Sequence, residues 1–234
     1  MPRRSGAKRW RLTLLLALAT ALFMALGVWQ VHRRSWKLDL IAAVDRRIHA
    51  AAEPAPSPAA LAAGTAQALS YSRVRVSGTL LDDRAARVQA VTERGAGFWL
   101  LVPLRTDQGW IVLINRGFVP PGWHAAGVVG DVTITGLLRA SEPGGGFLRG
   151  NDPAGDRWFS RDVAAIAAAR HLDNVAPYFI DADAGPDPAR YPIGGLTVVS
   201  FRNAHLIYAI TWFGLAALGL AGIWILWTDH GEVG

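Results

Sequence analysis

Ser200-Phe201-Arg202-Asn203-Ala204-His205-Leu206-Ile207-Tyr208-Ala209-Ile210-Thr211-Trp212-Phe213-Gly214 decides how the rest of the chain is read. A polar lead-in with Arg202, Asn203 and His205 runs without a break into residues 206–227, which are apolar and almost free of charge. A helix of that length crosses a hydrocarbon core of roughly 30 Å. His205 then stands where the helix enters the membrane. Tyr208 and Trp212, three and seven positions later, fall on nearly the same helix face. An imidazole backed by two large aromatic rings suits a metal or a haem iron. It equally suits an interfacial anchor, because aromatic and basic residues gather at membrane boundaries.

The other end of the chain has the same character. Residues 1–11 hold Arg3, Arg4, Lys8, Arg9 and Arg11 and no acid, and residues 12–29 are apolar apart from two Thr and one Gly. That run is close to the lower length limit for a membrane helix. A cleaved signal peptide is the competing reading, but the run exceeds a usual h-region and no small-x-small cleavage site follows it. The basic tail places the N-terminus in the cytoplasm. Two spans then put both termini there, with residues 228–234 as the second tail, and the intervening domain outside.

Residues 30–53 continue as an amphipathic helix. Leu38, Ile41, Val44 and Ile48 recur at spacings of three and four, opposite Asp39, Asp45, Arg46 and Arg47. Pro54, Pro56 and Pro58 end it, and residues 54–70 read as an Ala/Pro linker. From residue 71 to 200 the period changes to two, the sign of a β-rich domain. Strands are expected at 71–80, 87–92, 97–104, 110–119, 131–138 and 176–181, with a shorter one at 157–160. The runs 97–104 and 110–119 are continuously apolar, as strands covered on both faces are. A short helix is expected over 162–170, with an acid early and Arg170 and His171 late. The expected fold is membrane α+β: two transmembrane helices flank a mainly antiparallel β extracytoplasmic domain that has one or two short helices.

Composition excludes several chemistries. The 234 residues contain no Cys and two Met, so there is no disulfide framework, no thiolate site and no set of soft copper ligands. The net charge of +6 comes from scattered residues, mostly Arg, and no nucleic-acid surface follows from it. No Gly-x-Ser-x-Gly elbow or His-Glu-x-x-His motif occurs. Gly95-Ala96-Gly97 and Gly144-Gly145-Gly146 lack the context of a phosphate loop. A membrane-anchored extracytoplasmic hydrolase is the competing function class, and nothing in the chain supplies its catalytic residues.

Four segments carry a resemblance. Leu26-Gly27-Val28-Trp29-Gln30 with Arg33 and Arg34 resembles a Leu-Gly-x-Trp-Gln-x-x-Arg signature. Tyr71 through Gly78 resembles a first strand. Val112 through Pro120, containing Asn115-Arg116-Gly117-Phe118, is similar to a Val-Asn-Arg-Gly-Trp-Val-Pro strand end, with Phe118 in place of the usual Trp. Asn203 through Gly214 resembles Asn-x-His-x-x-Tyr-Ala-x-Thr-Trp. These occur, in order and with agreeing spacing, in the Surfeit locus protein 1 family of assembly factors for haem-copper cytochrome c oxidase. The resemblance implies a non-enzymatic, chaperone-like protein of the bacterial inner membrane that helps place haem a into oxidase subunit I. Its implied partners are subunit I, haem a synthase and membrane lipid. His205 corresponds to the family's proposed haem ligand, and Trp29 to its N-terminal Trp.

The candidate haem a site is therefore His205, Trp29, Tyr208, Trp212 and Arg202. A haem holder needs an axial ligand, an apolar slot and cations for the propionates, and Arg33, Arg34 and Arg202 could pair with carboxylates. The competing reading is a structural aromatic belt. Asn115, Arg116 and Phe118 form a candidate contact surface for a partner. Alternatively Gly117 permits a turn or bulge there, which Asn115 and Arg116 stabilise. A scaffold that engages the oxidase subunit without binding haem is the remaining alternative.

Overall fold

A computed structural model describes residues 4–61, 65–124, 130–146, 148–197 and 203–228. Its contacts divide the chain into two units, Met1–Ala43 with Ser200–Gly234, and Val44–Val199.

The first unit is a pair of helices. Helix α1 runs unbroken over Arg4–His49, with its end from Val44 onward in the second unit, and helix α2, over Thr65–Ala68, belongs to the second unit. Between Gln30 and His49 there is neither Gly nor Pro to interrupt α1, and Arg46, Arg47 and His49 in its last turn suit the negative end of the helix dipole. At about 1.5 Å per residue it is far longer than a bilayer core is thick. The C-terminal helix, α4, covers His205–Thr228. Both helices are long and apolar enough to cross a membrane.

The two helices run antiparallel, since low numbers on α1 meet high numbers on α4. Trp227 Nε1 donates to Thr13 Oγ1 at 3.1 Å, Phe23 stacks on Trp212 at 5.7 Å, and Gln30 meets His205. The least exposed residues of α1 are spaced by three and four along Thr13, Leu16, Thr20, Phe23, Gly27 and Gln30. On α4 the matching series is His205, Ala209, Trp212, Ala216, Gly219, Ile223 and Leu226. A repeat of 3.5 keeps one seam facing its partner along the whole pair. Small residues bring the backbones close. A Cβ on Gly27 would lie 2.5 Å from Phe213 Cε1, and one on Gly219 would lie 2.2 Å from Thr20 Oγ1. Leu14, Leu18, Leu22, Ile207, Ile210, Leu218 and Trp224 point outward and are exposed. That arrangement suits a lipid solvent, in which apolar side chains need not be hidden.

The second unit is a β domain. Its strands are β1 Glu53–Pro54, β2 Arg73–Leu80, β3 Ala86–Thr92, β4 Gly95–Thr106, β5 Ile111–Val119, β6 Asp131–Ala140 and β7 Val175–Ala182. The strand order is β1-β2-β6-β7-β5-β4-β3, and β2 also pairs with β4. The long β4 makes that closure possible. Its first half pairs with β3, and Leu104–Thr106 pair with Gly78–Leu80 of β2. Strands β2, β6, β7, β5 and β4 thus form a closed barrel in which only β5 and β7 run parallel. A parallel pair needs a long crossover, and helix α3, Val163–Ala169, lies within it. Asp162 caps α3 by accepting from Ala165 N at 3.1 Å.

All five barrel strands contribute to one core, which includes Val74, Val76, Val102, Leu104, Val112, Ile114, Leu138, Tyr178 and Ile180. A second core lies under α3, where Val163 and Ile166 pack with Leu101, Ile111, Leu113, Trp158 and Phe179. Strands β4 and β5 serve both cores through alternate residues, so their apolar runs are continuous.

Three expectations are corrected. Residues 54–70 do not form a linker. Pro54 lies in β1, Pro58–Ala60 form a 3₁₀ turn, and α2 follows. Ala55, Leu61, Ala66 and Leu69 pack on the barrel core, and Tyr178 Oη donates to Pro56 O at 2.6 Å. The composition was that of a linker, but its apolar residues have a barrel to cover. The amphipathic helix stops at His49 rather than at residue 53, because Glu53 joins the sheet beside Val74. Residues 157–160 hold only isolated bridges, Val88 to Trp158 and Asp152 to Arg157, since Trp158 is drawn into the second core.

Candidate functional site

His205 opens α4, and Gln30 lies on the α1 seam three residues after Gly27. His205 Nδ1 is 2.8 Å from Gln30 Oε1. Gln30 is buried, at 8% exposure, and His205 is half-buried. The bond also sets the level of Trp29, which is one residue and about 1.5 Å along α1 from Gln30. Trp29 points away from the seam, roughly 100° round the helix, and is exposed. Tyr208 is exposed as well, whereas Trp212 is turned into the seam against Phe23, with an interplanar angle of 26°. The expected aromatic–histidine cluster is therefore divided: Trp212 supports the helix contact, and Trp29 and Tyr208 present ring surface outward. The Arg33 guanidinium lies 4.1 Å over the Trp36 ring. Arg202 lies outside the described residues. Asn203 Oδ1 is buried without a hydrogen-bond partner among the described residues.

Gln30 was not among the expected site residues, although it stands inside the signature that contains Trp29. Its signal was the spacing of three from Gly27, on the stripe that also holds Leu16 and Phe23.

The strand end of β5 is built differently. Asn115 is buried and donates through Nδ2 to Asp181 Oδ1 at 2.7 Å, while its own Oδ1 accepts from Gly117 N at 3.1 Å. Asp181, on β7, also accepts from Arg139 Nη1, Arg161 Nη1 and Thr197 Oγ1 at 2.8, 3.3 and 2.8 Å. Both arginines also reach Glu142. This buried carboxylate ties β5, β6, β7 and the segment before α3 together. Gly117 has φ of 120°, and a Cβ there would lie 2.0 Å from Ile193 O. Its absence lets Phe118 N donate to Ile193 O at 2.9 Å. Phe118 is 1% exposed and packs edge-on against Trp99. Asn115 and Phe118 are thus turned inward, which leaves Arg116 as the accessible member of the expected contact surface. Arg116 pairs with Asp82 at 3.5 Å. Burial holds its guanidinium below the usual arginine range, and Asp82 partly opposes that. It lines an open cavity of about 660 Å³ with Trp123, His124, Arg190 and Tyr191.

Comparison with known proteins covers both stretches of sequence. The Rattus norvegicus protein named Surfeit locus protein 1 is 38% identical over 228 residues, which cover 87% of this chain and 71% of that protein. Its Homo sapiens namesake is 37% identical over 229 residues, 87% of this chain and 73% of that protein. A SURF1-like protein of Monosiga brevicollis is 34% identical over 244 residues, 95% of this chain and 88% of that protein. The SURF1 family profile matches residues 17–217, a stretch that takes in Gln30, the strand end of β5 and His205, and the chain belongs to the SURF1 family.

Proposed function

We propose that this chain is a membrane-anchored assembly factor for a haem-copper cytochrome c oxidase, which holds haem a for transfer into subunit I. Family membership supports the assembly role, and the antiparallel helix pair supports membrane anchoring. The basic residues Lys8, Arg9 and Arg11 support cytoplasmic termini, with the β domain on the outer side of a bacterial inner membrane. In this reading the protein is not an enzyme. Haem a is its cargo, subunit I and haem a synthase are its partners, and the outward apolar faces of α1 and α4 meet lipid.

The observation that carries the haem reading is the state of His205. Imidazole nitrogen is a usual axial donor to haem iron. The ring is held by Gln30 through Nδ1, and among the described residues Nε2 makes no hydrogen bond. Trp29 and Tyr208 leave ring surface exposed beside that level, and Arg34 with Arg202 would supply cations for the propionates. The donor set fits the group. Iron chemistry belongs to the haem, and this chain binds and orients it.

The test is the His205→Ala variant, purified at full length in detergent after co-expression with haem a synthesis. The wild type should carry haem absorbance that the variant loses or shifts. An unchanged spectrum and haem-to-protein ratio would overturn the ligand role. A wild type free of haem that still supports oxidase assembly in a deletion strain would favour a scaffold.

A further inference from the structure

We infer that Gln30 is a positioning residue for His205: it holds the imidazole in the Nδ1–H tautomer and so makes Nε2 the atom offered to a ligand. The purpose of this device rests on the haem-holding reading, whereas the tautomer rests on the contact alone. Gln30 Oε1 lies 2.8 Å from His205 Nδ1. A carboxamide oxygen can only accept, so Nδ1 must be the donor. A neutral imidazole has one N–H, so the lone pair is left on Nε2. If the ring took the other tautomer, Nε2 would carry the proton and could not ligate.

The seam fixes this contact from both sides. On α1, Gly27 precedes Gln30 by three residues and allows Phe213 to pack directly on the backbone. On α4, Ala209 follows His205 by four residues and is 3% exposed. Gln30 is itself buried at 8%. With Gln30 buried and His205 half-buried, the bond lies partly out of water, where a hydrogen bond is strengthened. The acceptor on Nδ1 also orients the ring and raises the basicity of the opposite nitrogen, as the outer partners of ligating histidines do.

The choice of Gln over Glu has a consequence. A carboxylate at this position would push more electron density to Nε2 and would place a charge in the apolar seam. The amide gives the same orientation with a weaker push. That matches a protein that must hold a cargo and then release it.

The test uses the full chain in detergent with ¹⁵N-labelled histidine, first without haem. The His205 signal is identified by its loss in His205→Ala. The expected wild-type ring has its proton on Nδ1 and a pyridine-like Nε2. Gln30→Met keeps a long unbranched side chain but removes the acceptor, and should release the tautomer preference. Titrated with haem, Gln30→Met should bind about 10- to 100-fold more weakly. Gln30→Glu should restore binding and give the bound haem a reduction potential below that of the wild type. A wild-type ring protonated on Nε2 would overturn the inference. So would a Gln30→Met ring that keeps the wild-type tautomer. The two readings fail separately. A wild type that shows the expected tautomer but binds no haem sinks the haem reading and leaves the hold of Gln30 on the ring intact. Equal haem affinity in wild type and Gln30→Met sinks the role of Gln30 and leaves the haem reading standing.

Discussion

Gly27→Ala asks whether the helix seam governs the site. A methyl group at Gly27 would lie 2.5 Å from Phe213 Cε1 and 2.8 Å from Cδ1 and Cζ. An ordinary carbon–carbon contact needs about 3.5 Å. With the Phe213 ring kept in place, the pair opens by roughly 1 Å at this level. Gln30 is one turn away on the same stripe. An opening of that size takes its 2.8 Å bond to His205 beyond the range of a hydrogen bond. The bond should contribute about 0.6–1.5 kcal/mol, from the mean for membrane-embedded bonds to the upper end for proteins in general. The assay is a double-mutant cycle on full-length protein, with stability measured by reversible unfolding in mixed detergent. Gln30→Met should cost about that amount in the wild type and close to nothing in the Gly27→Ala background. If it costs the same in both, the ring has turned aside and the helices have kept their spacing. Gly27 would then not be what sets the bond.

Two further predictions concern the β domain. Asp181→Asn keeps the shape of the buried carboxylate but leaves Arg139 and Arg161 facing a neutral group. Breaking a buried pair costs about 3–5 kcal/mol, and Glu142, which still pairs with both arginines, should hold the loss near 3 kcal/mol. An unchanged melting temperature of the full-length variant would refute the role of the hub. Burial pushes the Tyr178 phenol well above its ordinary range. The unfolded phenol ionises near pH 10 and the folded one only above that, so this group's contribution is fully present below about pH 10 and is lost as pH rises further. Thermal melts from pH 8 to 11 should show this decline in the wild type and a smaller one in Tyr178→Phe; equal slopes would refute it.

Much of the fold was legible because its signals are local. Period-two alternation and two continuous apolar runs located the six main strands, and the continuous runs, β4 and β5, are covered on both faces. Hydropathy located both long helices. What failed did so where composition and context disagree. Pro54 to Leu69 looks like a linker by content, but Ala55, Leu61 and Leu69 cover the barrel. Asn115-Arg116-Gly117-Phe118 offered either a contact surface or a turn permitted by Gly117, and the burial of Asn115 and Phe118 with the φ of 120° at Gly117 accords with the second. A glutamine directly after Trp29 reads as the polar end of a span, and nothing local marks its partner.

The sequence by itself determined that two apolar helices bracket an alternating β domain, and four ordered motifs marked the family. These are properties of single segments, and periodicity and hydropathy report them directly. Only the tertiary structure decided that β4 reaches back to close the barrel on β2, that Asp181 gathers Asn115, Arg139 and Arg161, and that Gln30 meets His205 across 175 positions of chain. Each of these joins residues far apart in sequence, and a pattern confined to one segment carries no record of which distant segment will pack against it. The imidazole that begins α4 is legible in the sequence, but the ring nitrogen it presents is set by a glutamine on the other helix.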